Sequence, residues 1–528
     1  MEFVVTEDGL LLKFEYERDL VNKIKKIQGR RFDTTQQGWV IPYYSIEWLK
    51  NIIEIPDDIN TQMIERINDK KTFLNDLDLR TPLKPFQIDA LNFMIEKQKS
   101  MLCADMGLGK TCMSIAYSKY LLDRGLIKKV VIFCPKTLKR HWLDEIDKFI
   151  YADSVIIENY KPNRKKSWEK SFESQFIILN YEQIFNVQTY LNLKNIFRDD
   201  TLIILDEATR IKNIKAQTSK RIKTFKSKYK VILTGRPVEN RPEELYSING
   251  FLENNILGSW DYFKNNYIRY DNFGRVLKYI NLSDLGNKIR QIMFRCKKDD
   301  VLDDLPEKII NTYDIELSRS EIINYRRIEN LIKKEIKSYK TGKTTFKNVL
   351  SVMQISKMFC DHPDLVKNSE SETAKSVKID TDKHSKFDEL LEVIKEIDSK
   401  IVIFSQYTKM CHIINDELKK LGYTTVMITG EDTDRDAKIN EFKEKAQILV
   451  CSDVMSYGVN LQVASVIINY DLQWNPAKNE QRIARLHRMG QKNVVNVINL
   501  VIADEDKIEQ QIRKILKLKD DIFEEIMN

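Results

Sequence analysis

The chain has 528 residues, of which 42% are hydrophobic, and its formal net charge is +8. This length accommodates about three to four domains of typical size, and the hydrophobic fraction is ordinary for a globular protein with a sizeable core. No apolar run approaches the roughly 18 residues that a membrane span needs, which excludes a membrane-embedded function. The mild positive charge is compatible with nucleic acid but does not by itself indicate it.

The cysteines and the N-terminus predict a reducing compartment without a structural zinc site. The seven cysteines form no Cys-x-x-Cys pair, and Cys360 and His362 have no second ligand pair beside them. The first residues show no basic region followed by an apolar one, so no secretory signal is expected. The composition favours a bacterial or viral origin. We therefore expect a cytoplasmic location, or a nuclear one in a eukaryote.

Residues 1–55 are predicted to form a small α+β module. Alternating apolar residues on either side of Gly9 are typical of a β-hairpin, and a helix with an apolar face follows. The segment resembles the HARP-type module found beside some DNA-remodelling motors, and the matching residues are Gly29, Arg30, Phe32, Asp33, Trp39 and Pro42. Arg30 and Arg31 could hold backbone phosphate while Trp39 stacks on an exposed base. A cap without a DNA role, with Trp39 in its core, is the alternative.

Residues 101–111, Met-Leu-Cys-Ala-Asp-Met-Gly-Leu-Gly-Lys-Thr, are the most informative stretch of the chain. An apolar strand, a loop with two glycines and the start of a helix follow one another here, and that order is typical of a phosphate-binding loop. The loop amides would bind phosphate oxygens, Lys110 would reach the β- and γ-phosphates, and the Thr111 hydroxyl would ligate Mg²⁺. The strict pattern begins with glycine, whereas this chain has Ala104.

One residue upstream of the loop is predicted to join the nucleotide site. The Gln87 amide both donates and accepts hydrogen bonds, so it could read the edge of adenine, although a surface position is the usual fate of a glutamine. The predicted nucleotide contacts in this half of the chain are Gln87, Ala104, Asp105, Met106, Gly107, Leu108, Gly109, Lys110 and Thr111.

Continuous apolar runs predict a parallel sheet in the first half of the chain. The runs at 130–134, 176–179, 202–205 and 231–233 alternate with helical segments, and ligands of such sheets bind at the carboxyl ends of the strands. Two carboxylates, Asp206 and Glu207, follow the third run. We expect Asp206 to hold Mg²⁺ and Glu207 to orient and deprotonate the attacking water. A charged helix N-cap is the alternative for this pair.

The second half of the chain repeats the pattern, with apolar runs at 401–404, 426–428, 448–451 and 466–469. No Gly-Lys-Thr follows any of them, so one nucleotide is expected between two lobes. Arg485 and Arg488 are three residues apart and are predicted to share a helical face, from which they could act as arginine fingers on the γ-phosphate. A solvated basic helix is the alternative. An amphipathic helix is predicted over residues 505–527.

These ordered strings resemble the Swi/Snf-type branch of the superfamily 2 helicases, which are ATP-dependent double-stranded DNA translocases. The resemblance extends from about residue 80 to residue 520. Strings particular to that branch stand at 245–248, 294–301, 305–308, 360–365 and 385–390. The resemblance implies ATP and Mg²⁺ as cofactors, catalytic roles for Glu207, Arg485 and Arg488, and a nucleotide contact by Gln481.

The fold class implied by the resemblance is α/β, with two RecA-like parallel-sheet lobes and the small N-terminal α+β domain. The predicted divisions are 1–55 for the module, 56–80 for a connector, 81–310 for lobe 1 and 311–528 for lobe 2 with a C-terminal brace helix. Helical protrusions are expected at about 240–300 in lobe 1 and 315–380 in lobe 2.

Three departures from the family pattern are visible. Thr209 stands where the Asp-Glu box usually has histidine, which bears on the coupling between hydrolysis and DNA contact. Arg236 replaces the usual threonine. Met455 and Ser456 replace two glycines before Gly458, so the turn there is expected to differ. None of these changes removes a residue that hydrolysis needs.

The predicted function is a DNA-dependent ATPase that moves on double-stranded DNA and remodels or anneals branched DNA in replication or repair. It is expected to be a monomer with double-stranded or branched DNA as its partner, replication or repair proteins as candidate partners, and no membrane partner. A strand-separating helicase or restriction-type motor is the first alternative. An adaptor that uses ATP only as a conformational switch is the second, and Thr209 is among its supports.

Overall fold

The computed structural model describes residues 1–6, 9–24, 27, 30–33, 36–41, 46–63, 77–252, 255–302, 305–341, 345–432, 434–456, 460–503 and 508–527. The chain divides into two compact units, one formed by residues 1–303 with 521–528 and the other by residues 304–520. Within the described ranges, no helix is long and apolar enough to cross a membrane.

The strands are β1 Glu2–Val5, β2 Leu10–Lys13, β3 Arg31–Asp33, β4 Gly38–Ile41, β5 Lys99–Ala104, β6 Lys129–Cys134, β7 Ser154–Ile156, β8 Phe176–Asn180, β9 Thr201–Asp206, β10 Tyr229–Thr234, β11 Ile268–Tyr270, β12 Val276–Tyr279, β13 Met293–Cys296, β14 Lys308–Ile315, β15 Ile401–Ser405, β16 Thr425–Ile428, β17 Ile448–Ser452, β18 Val466–Asn469 and β19 Val495–Ile502.

The α-helices are α1 Arg18–Ile24, α2 Ile46–Lys50, α3 Pro85–Lys97, α4 Lys110–Asp123, α5 Lys139–Phe149, α6 Lys161–Ser171, α7 Val187–Ile196, α8 Gln217–Ile222, α9 Pro242–Asn249, α10 Trp260–Tyr267, α11 Leu282–Ile289, α12 Lys298–Val301, α13 Arg319–Lys340, α14 Phe346–Asp361, α15 Pro363–Lys367, α16 Glu372–Lys375, α17 Ser385–Lys395, α18 Thr408–Lys420, α19 Arg435–Glu444, α20 Pro476–Ile483 and α21 Ile508–Met527. Residues 57–63 are also helical. Short 3₁₀ helices lie at Lys136–Leu138, Tyr181–Phe185, Ala208–Ile211 and Asp453–Ser456.

The first unit contains a seven-stranded parallel sheet in the order β13-β5-β10-β9-β6-β8-β7. Its central strands are buried along nearly their whole length because helices cover both faces, as their continuous apolar runs predicted. In register, Thr234 lies opposite Cys103 and Leu233 opposite Asp206. The ends of β5, β10 and β9 therefore lie side by side at the carboxyl edge of the sheet.

The second unit contains a six-stranded parallel sheet in the order β14-β19-β18-β15-β17-β16. The α/β fold class with two parallel-sheet lobes is thereby confirmed. The division between the lobes differs by several residues from the predicted 310/311, because β14 begins at Lys308 and pairs with β19 along its whole length. The C-terminal helix α21 is present, but residues 521–528 belong to the first unit.

The N-terminal module is a four-stranded antiparallel sheet in the order β1-β2-β4-β3 with α1 against it. The predicted hairpin is confirmed, since Val5 pairs with Leu10. The module core includes Leu10, Leu12, Ile24, Ile41 and Leu49. Two residues named for the module, Gly29 and Pro42, lie outside the described residues.

Both regions predicted as helical protrusions contain the expected helices. The segment at 240–300 includes α9, α10 and α11, together with the hairpin β11–β12, which the sequence did not predict. The segment at 315–380 contains the long helix α13 packed against α14.

Candidate active site

The loop between β5 and α4 has the backbone geometry of a phosphate-binding loop. Gly107 and Gly109 have φ values of +89° and +82°, a left-handed conformation that favours glycine over residues with a side chain. Leu108 between them is fully buried and anchors the loop. The loop leads directly into the N-terminus of α4, which begins at Lys110. A helix N-terminus presents unpaired amides to an anion.

Lys110 lies back across the loop that precedes it. Its Nζ donates to the carbonyl oxygens of Ala104, at 2.7 Å, and of Asp105, at 3.3 Å. Ala104 therefore contributes through its backbone carbonyl, and its methyl group is buried at the end of β5. The alanine in place of the usual glycine leaves this contact intact. Thr111 follows in the first turn of α4 and is half-buried.

Gln87 contacts the phosphate-binding loop itself. Its Nε2 donates to the carbonyl oxygen of Leu108 at 3.1 Å, and its Oε1 accepts from the Lys84 amide at 2.9 Å. A Cβ atom added at Gly109 would lie 2.7 Å from Gln87 Nε2. The Gln87 side chain thus supports the loop. Its second N–H and its second lone pair could still contact adenine, and this contact stays a prediction.

Asp105 and Met106 form the turn of the loop. The Asp105 amide donates to the Cys296 carbonyl at 3.0 Å, and its carboxylate accepts from the Lys298 amide at 3.0 Å. Because that amide is already donated, any contribution of Asp105 to phosphate binding does not come through it. Asp105 instead ties the loop to the end of β13.

Asp206 ends β9 in a buried polar pocket. Its Oδ2 accepts from Trp142 Nε1 at 2.8 Å, and its carbonyl accepts from the Tyr181 hydroxyl at 2.7 Å. Burial raises the pKa of Asp206, and the Trp142 hydrogen bond and the charge of Lys110 oppose that rise. A carboxylate in such surroundings is stabilised by a cation. The hard oxygen donors of Asp206 and Thr111 fit Mg²⁺.

Glu207 adopts a strained backbone conformation. Its φ of +52° and ψ of +55° lie in the left-handed region, which is uncommon for a residue with a side chain and clusters at functional sites. Glu207 stands at the N-cap of the 3₁₀ helix Ala208–Ile211, which also contains Thr209, but its side chain makes no capping hydrogen bond. The geometry therefore disfavours the alternative of a simple charged N-cap.

The predicted arginine fingers do not lie on a helix. Helix α20 ends at Ile483, and Arg485 and Arg488 lie in the turns that follow it. The prediction of a shared helical face is therefore wrong. Arg485 is buried and its Nε donates back to the Gln481 carbonyl at 3.2 Å, while Arg488 donates to Asn460 Oδ1.

Gln481, the predicted nucleotide contact of the second unit, lies in the last turns of α20 and is 5% exposed. Within the described residues its side-chain oxygen is buried without a hydrogen-bond partner. Leaving such an acceptor unpaired costs about 1–3 kcal/mol. The unpaired oxygen is therefore consistent with a ligand that donates to it.

Sequence reasoning missed Arg482, which organises this region. The guanidinium is fully buried, with its Nε 2.7 Å from Asp453 Oδ1 and Nη1 donating to the Asp471 carbonyl at 2.6 Å. Although burial alone would raise the pKa of Asp471, Lys357 and Arg482 hold it below its usual range. The pairing fixes α20 to the ends of β17 and β18. The sequence did offer a signal for this network, because Asp453 and Asp471 each follow an apolar run.

The structure describes Met455 and the backbone of Ser456 in the turn that departs from the family pattern. Met455 is buried in the core of the second unit, and the backbone of Ser456 ends a 3₁₀ turn. Gly458 lies outside the described residues, so the expected change in that turn stays a prediction.

Comparison with known proteins decides the family. The model of the SNF2-related domain matches residues 86–365, which is more than half of the chain, and the model of the helicase conserved C-terminal domain matches residues 383–490. The chain belongs to the SNF2-related family. Its two matched domains are those of a helicase-class ATPase, and the predicted resemblance to the Swi/Snf-type branch is confirmed.

Individual relatives of this SNF2-family chain differ in length. The Bacillus subtilis protein named "Uncharacterized ATP-dependent helicase YqhH" is 27% identical over 85% of this chain and 80% of its own length. The Saccharomyces cerevisiae protein "ISWI chromatin-remodeling complex ATPase ISW1" is 28% identical over 83% of this chain, which spans 40% of that protein. The solved Sulfolobus solfataricus SWI2/SNF2 ATPase core in complex with dsDNA is 27% identical, with a TM-score of 0.41 over 85% of this chain and 94% of the other.

Proposed function

We propose that the chain is a DNA-dependent ATPase that translocates on double-stranded DNA and remodels or anneals branched DNA in replication or repair. One observation carries the proposal: the Lys110 loop and the Asp206–Glu207 pair lie at the same carboxyl edge of one parallel sheet. In an SNF2-family chain, this arrangement supports ATP binding and hydrolysis.

Each candidate site residue of the first unit has a proposed role in ATP hydrolysis. Lys110 binds the β- and γ-phosphates, and Thr111 and Asp206 hold Mg²⁺. When bound, the metal would neutralise charge that develops on the phosphates. Trp142 orients the Asp206 carboxylate through its hydrogen bond. Glu207 positions and deprotonates the attacking water from its strained backbone.

Three side chains of the second unit also have proposed roles. Arg485 and Arg488 would stabilise charge on the γ-phosphoryl group, and Gln481 would accept a hydrogen bond through its unpaired oxygen. The Arg482–Asp453–Asp471 network would hold these side chains in place. DNA contacts are proposed to be mostly to backbone phosphate, which makes binding largely independent of sequence and sensitive to salt.

The N-terminal module is proposed to be HARP-like and to give selectivity for branched DNA. Phe32 is 50% exposed and Tyr16 is 80% exposed, and both line an open cavity of about 460 Å³ that also touches Trp39. Phe32 and Trp39 pack edge to face at 5.3 Å. Exposed aromatic rings are the usual platforms for unpaired bases. Trp39 is half-buried, so it contributes to the module core as well.

Triplex displacement tests translocation directly. The full chain and ATP should release a third strand from a duplex at fixed salt, with duplex-stimulated ATP hydrolysis measured in parallel. Displacement without unwinding of a plain duplex supports the translocase. Unwinding would favour a strand-separating helicase, and ATP binding without displacement would favour the ATP-switched adaptor.

A further inference from the structure

The last turn of α21 is built into the first unit. Ile526 is fully buried and Met527 is 3% exposed in the core of that unit. A Cβ atom added at Gly286 would lie only 1.9 Å from the Ile526 carbonyl oxygen. Arg290 Nη1 also donates to the Met527 carbonyl at 3.3 Å. The turn is therefore closely fitted to α11, and a glycine at 286 is required for the approach.

Phe523 in this turn lies against two arginines at the carboxyl edge of the sheet. Its ring centre is 4.2 Å from the guanidinium carbon of Arg236 and 5.5 Å from that of Arg295. The neighbouring Glu524 forms ion pairs with Arg295 at 3.6 Å and with Lys297 at 3.7 Å. Cation–π contacts are stronger when they are shielded from water.

Both arginines belong to segments that flank the phosphate-binding loop. Arg236 follows Gly235, and a Cβ atom added at Gly235 would lie 3.7 Å from the Ala104 carbonyl and 3.8 Å from Lys110 Nζ. Arg236 is itself 5% exposed and held in a tight turn, with its Nε donating to the Val238 carbonyl.

On the other side of the loop, Arg295 lies in β13, where it pairs with Cys103 of β5. The next residues along the chain, Cys296 and Lys298, are the ones that bind Asp105. The C-terminal turn thus contacts both flanks of the loop that holds Lys110.

We propose that Phe523 is a positioning residue of the ATP site, which acts through Arg236 and Arg295 on the loop at 105–111. Arg236 stands where the family pattern has threonine, and its guanidinium carbon lies 4.2 Å from the centre of the Phe523 ring. The inference rests on the proposed ATPase function. It adds that the last turn of the chain sets the order of the phosphate-binding loop and thereby the affinity for ATP.

The test compares ATP binding by full-length variants, using a fluorescent ATP analogue with Mg²⁺. Phe523→Ala should raise the dissociation constant by on the order of tenfold, because the arginines on both flanks of the loop lose the aromatic ring that holds them. Phe523→Trp should bind as the wild type does. Phe523→Leu keeps apolar volume but has no aromatic face, so its dissociation constant should rise as that of Phe523→Ala does. Leu518→Ala, on an exposed position of the same helix, is the matched control and should be unchanged.

Two further measurements separate positioning from folding and from the proposed function. Hydrogen exchange of residues 105–111 should quicken in Phe523→Ala while exchange in β6 stays slow, whether or not the wild type hydrolyses ATP. In a double-mutant cycle, Arg236→Thr with Phe523→Ala should bind ATP no more weakly than either single variant. Wild-type affinity in Phe523→Ala, or in Phe523→Leu, with unchanged exchange in the loop would overturn the inference. If exchange of residues 105–111 is faster in Phe523→Ala than in the wild type but the wild type binds no ATP, the proposed function would be overturned and the positioning role would stand.

Discussion

At the scale of residues, the candidate site depends on a few side chains whose surroundings fix their roles. Lys110 is tied to the loop by the Ala104 carbonyl, and Asp206 is oriented by Trp142. Glu207 differs from both because its backbone is strained and its side chain does not cap the helix after it. Strain of this kind is retained only where the surrounding structure enforces it, which is consistent with a residue that must face the reacting water.

Glu207→Gln is expected to bind ATP and Mg²⁺ normally and to abolish turnover, because the water loses its base while Lys110 and Asp206 remain. Single-turnover hydrolysis and nucleotide retention after gel filtration measure the two effects. Glu173→Gln, which changes an exposed glutamate of the same unit, should behave as the wild type does. Hydrolysis at the wild-type rate in Glu207→Gln would show that its assigned role is wrong.

Arg485→Ala and Arg488→Ala should leave ATP affinity within a few-fold and lower turnover by on the order of a thousandfold, the usual effect of losing an arginine finger. Arg485→Lys should not restore turnover, since an ammonium lacks the planar fork of donors. Thermal melting of the variants tests whether the buried Arg485 is needed for folding. Arg198→Ala, which changes an exposed arginine, is the control and should turn over ATP as the wild type does. Unchanged turnover in both alanine variants would show that neither arginine acts on the γ-phosphate.

The sequence predicted the parts of the site that local patterns encode. Gly107, Gly109 and Lys110 follow an apolar strand, and Asp206 follows another, so their common edge could be inferred from chain order alone. The contacts of Arg482 with Asp453 and Asp471 join residues that are 29 and 11 positions apart, respectively. Periodicity does not reveal which strand ends will pair in this way. The error about Arg485 arose because α20 ends at Ile483 although neither glycine nor proline stands at 484–489 to mark that end in the sequence.

At the scale of elements, the N-terminus of the short helix α15 is capped by a buried histidine. His362 caps α15, and its Nδ1 accepts from the Asp364 amide at 3.2 Å, which requires an unprotonated ring nitrogen. Burial lowers the pKa of His362 to about 4, with Asp364 opposing that shift and His384 adding to it. The His362 and His384 rings stack at 4.9 Å. This cap belongs to one of the strings by which the chain resembles its family.

The cap predicts a defined acid sensitivity. The unfolded state binds a proton at His362 near pH 6.5, whereas the folded state does so only near pH 4. The stability that depends on neutral His362 is thus present above pH 6.5 and is lost as the pH falls toward 4, by at most about 3 kcal/mol. His362→Asn, which can also cap, should show a shallower loss of stability between pH 7 and pH 4. Urea midpoints at several pH values measure this, and parallel curves for the two proteins would contradict it.

At the scale of the whole molecule, the chain combines two parallel-sheet units of the SNF2 type with an antiparallel N-terminal module. Elements predicted from the sequence, including the hairpin and the C-terminal helix, are present. The packing of the last turn of that helix in the first unit could not be predicted, because its apolar face has the same spacing throughout. Selectivity for branched DNA is the proposed property that depends on this module.

Arg30→Ala with Arg31→Ala should weaken stimulation of the ATPase by forked DNA more than stimulation by linear duplex. The matched control is Arg18→Ala with Lys23→Ala, which removes two exposed cations of the same module. Both DNAs are compared at equal salt, because loss of phosphate contacts alone would change both responses together. Equal losses on the two DNAs would reduce the module to a nonspecific clamp, and no loss on either would make it structural.

We propose that ATP bound at the Lys110 loop drives a DNA-dependent motor. The most direct measurement is the rate of ATP hydrolysis by the full chain with and without linear duplex, at one fixed salt concentration, beside Lys110→Ala. We predict that duplex stimulates the wild type, that Lys110→Ala has no activity under either condition, and that it still binds duplex with wild-type affinity. Duplex-stimulated hydrolysis in Lys110→Ala, or wild-type hydrolysis at the same rate with and without duplex, would show that ATP at the Lys110 loop does not drive a DNA-dependent motor.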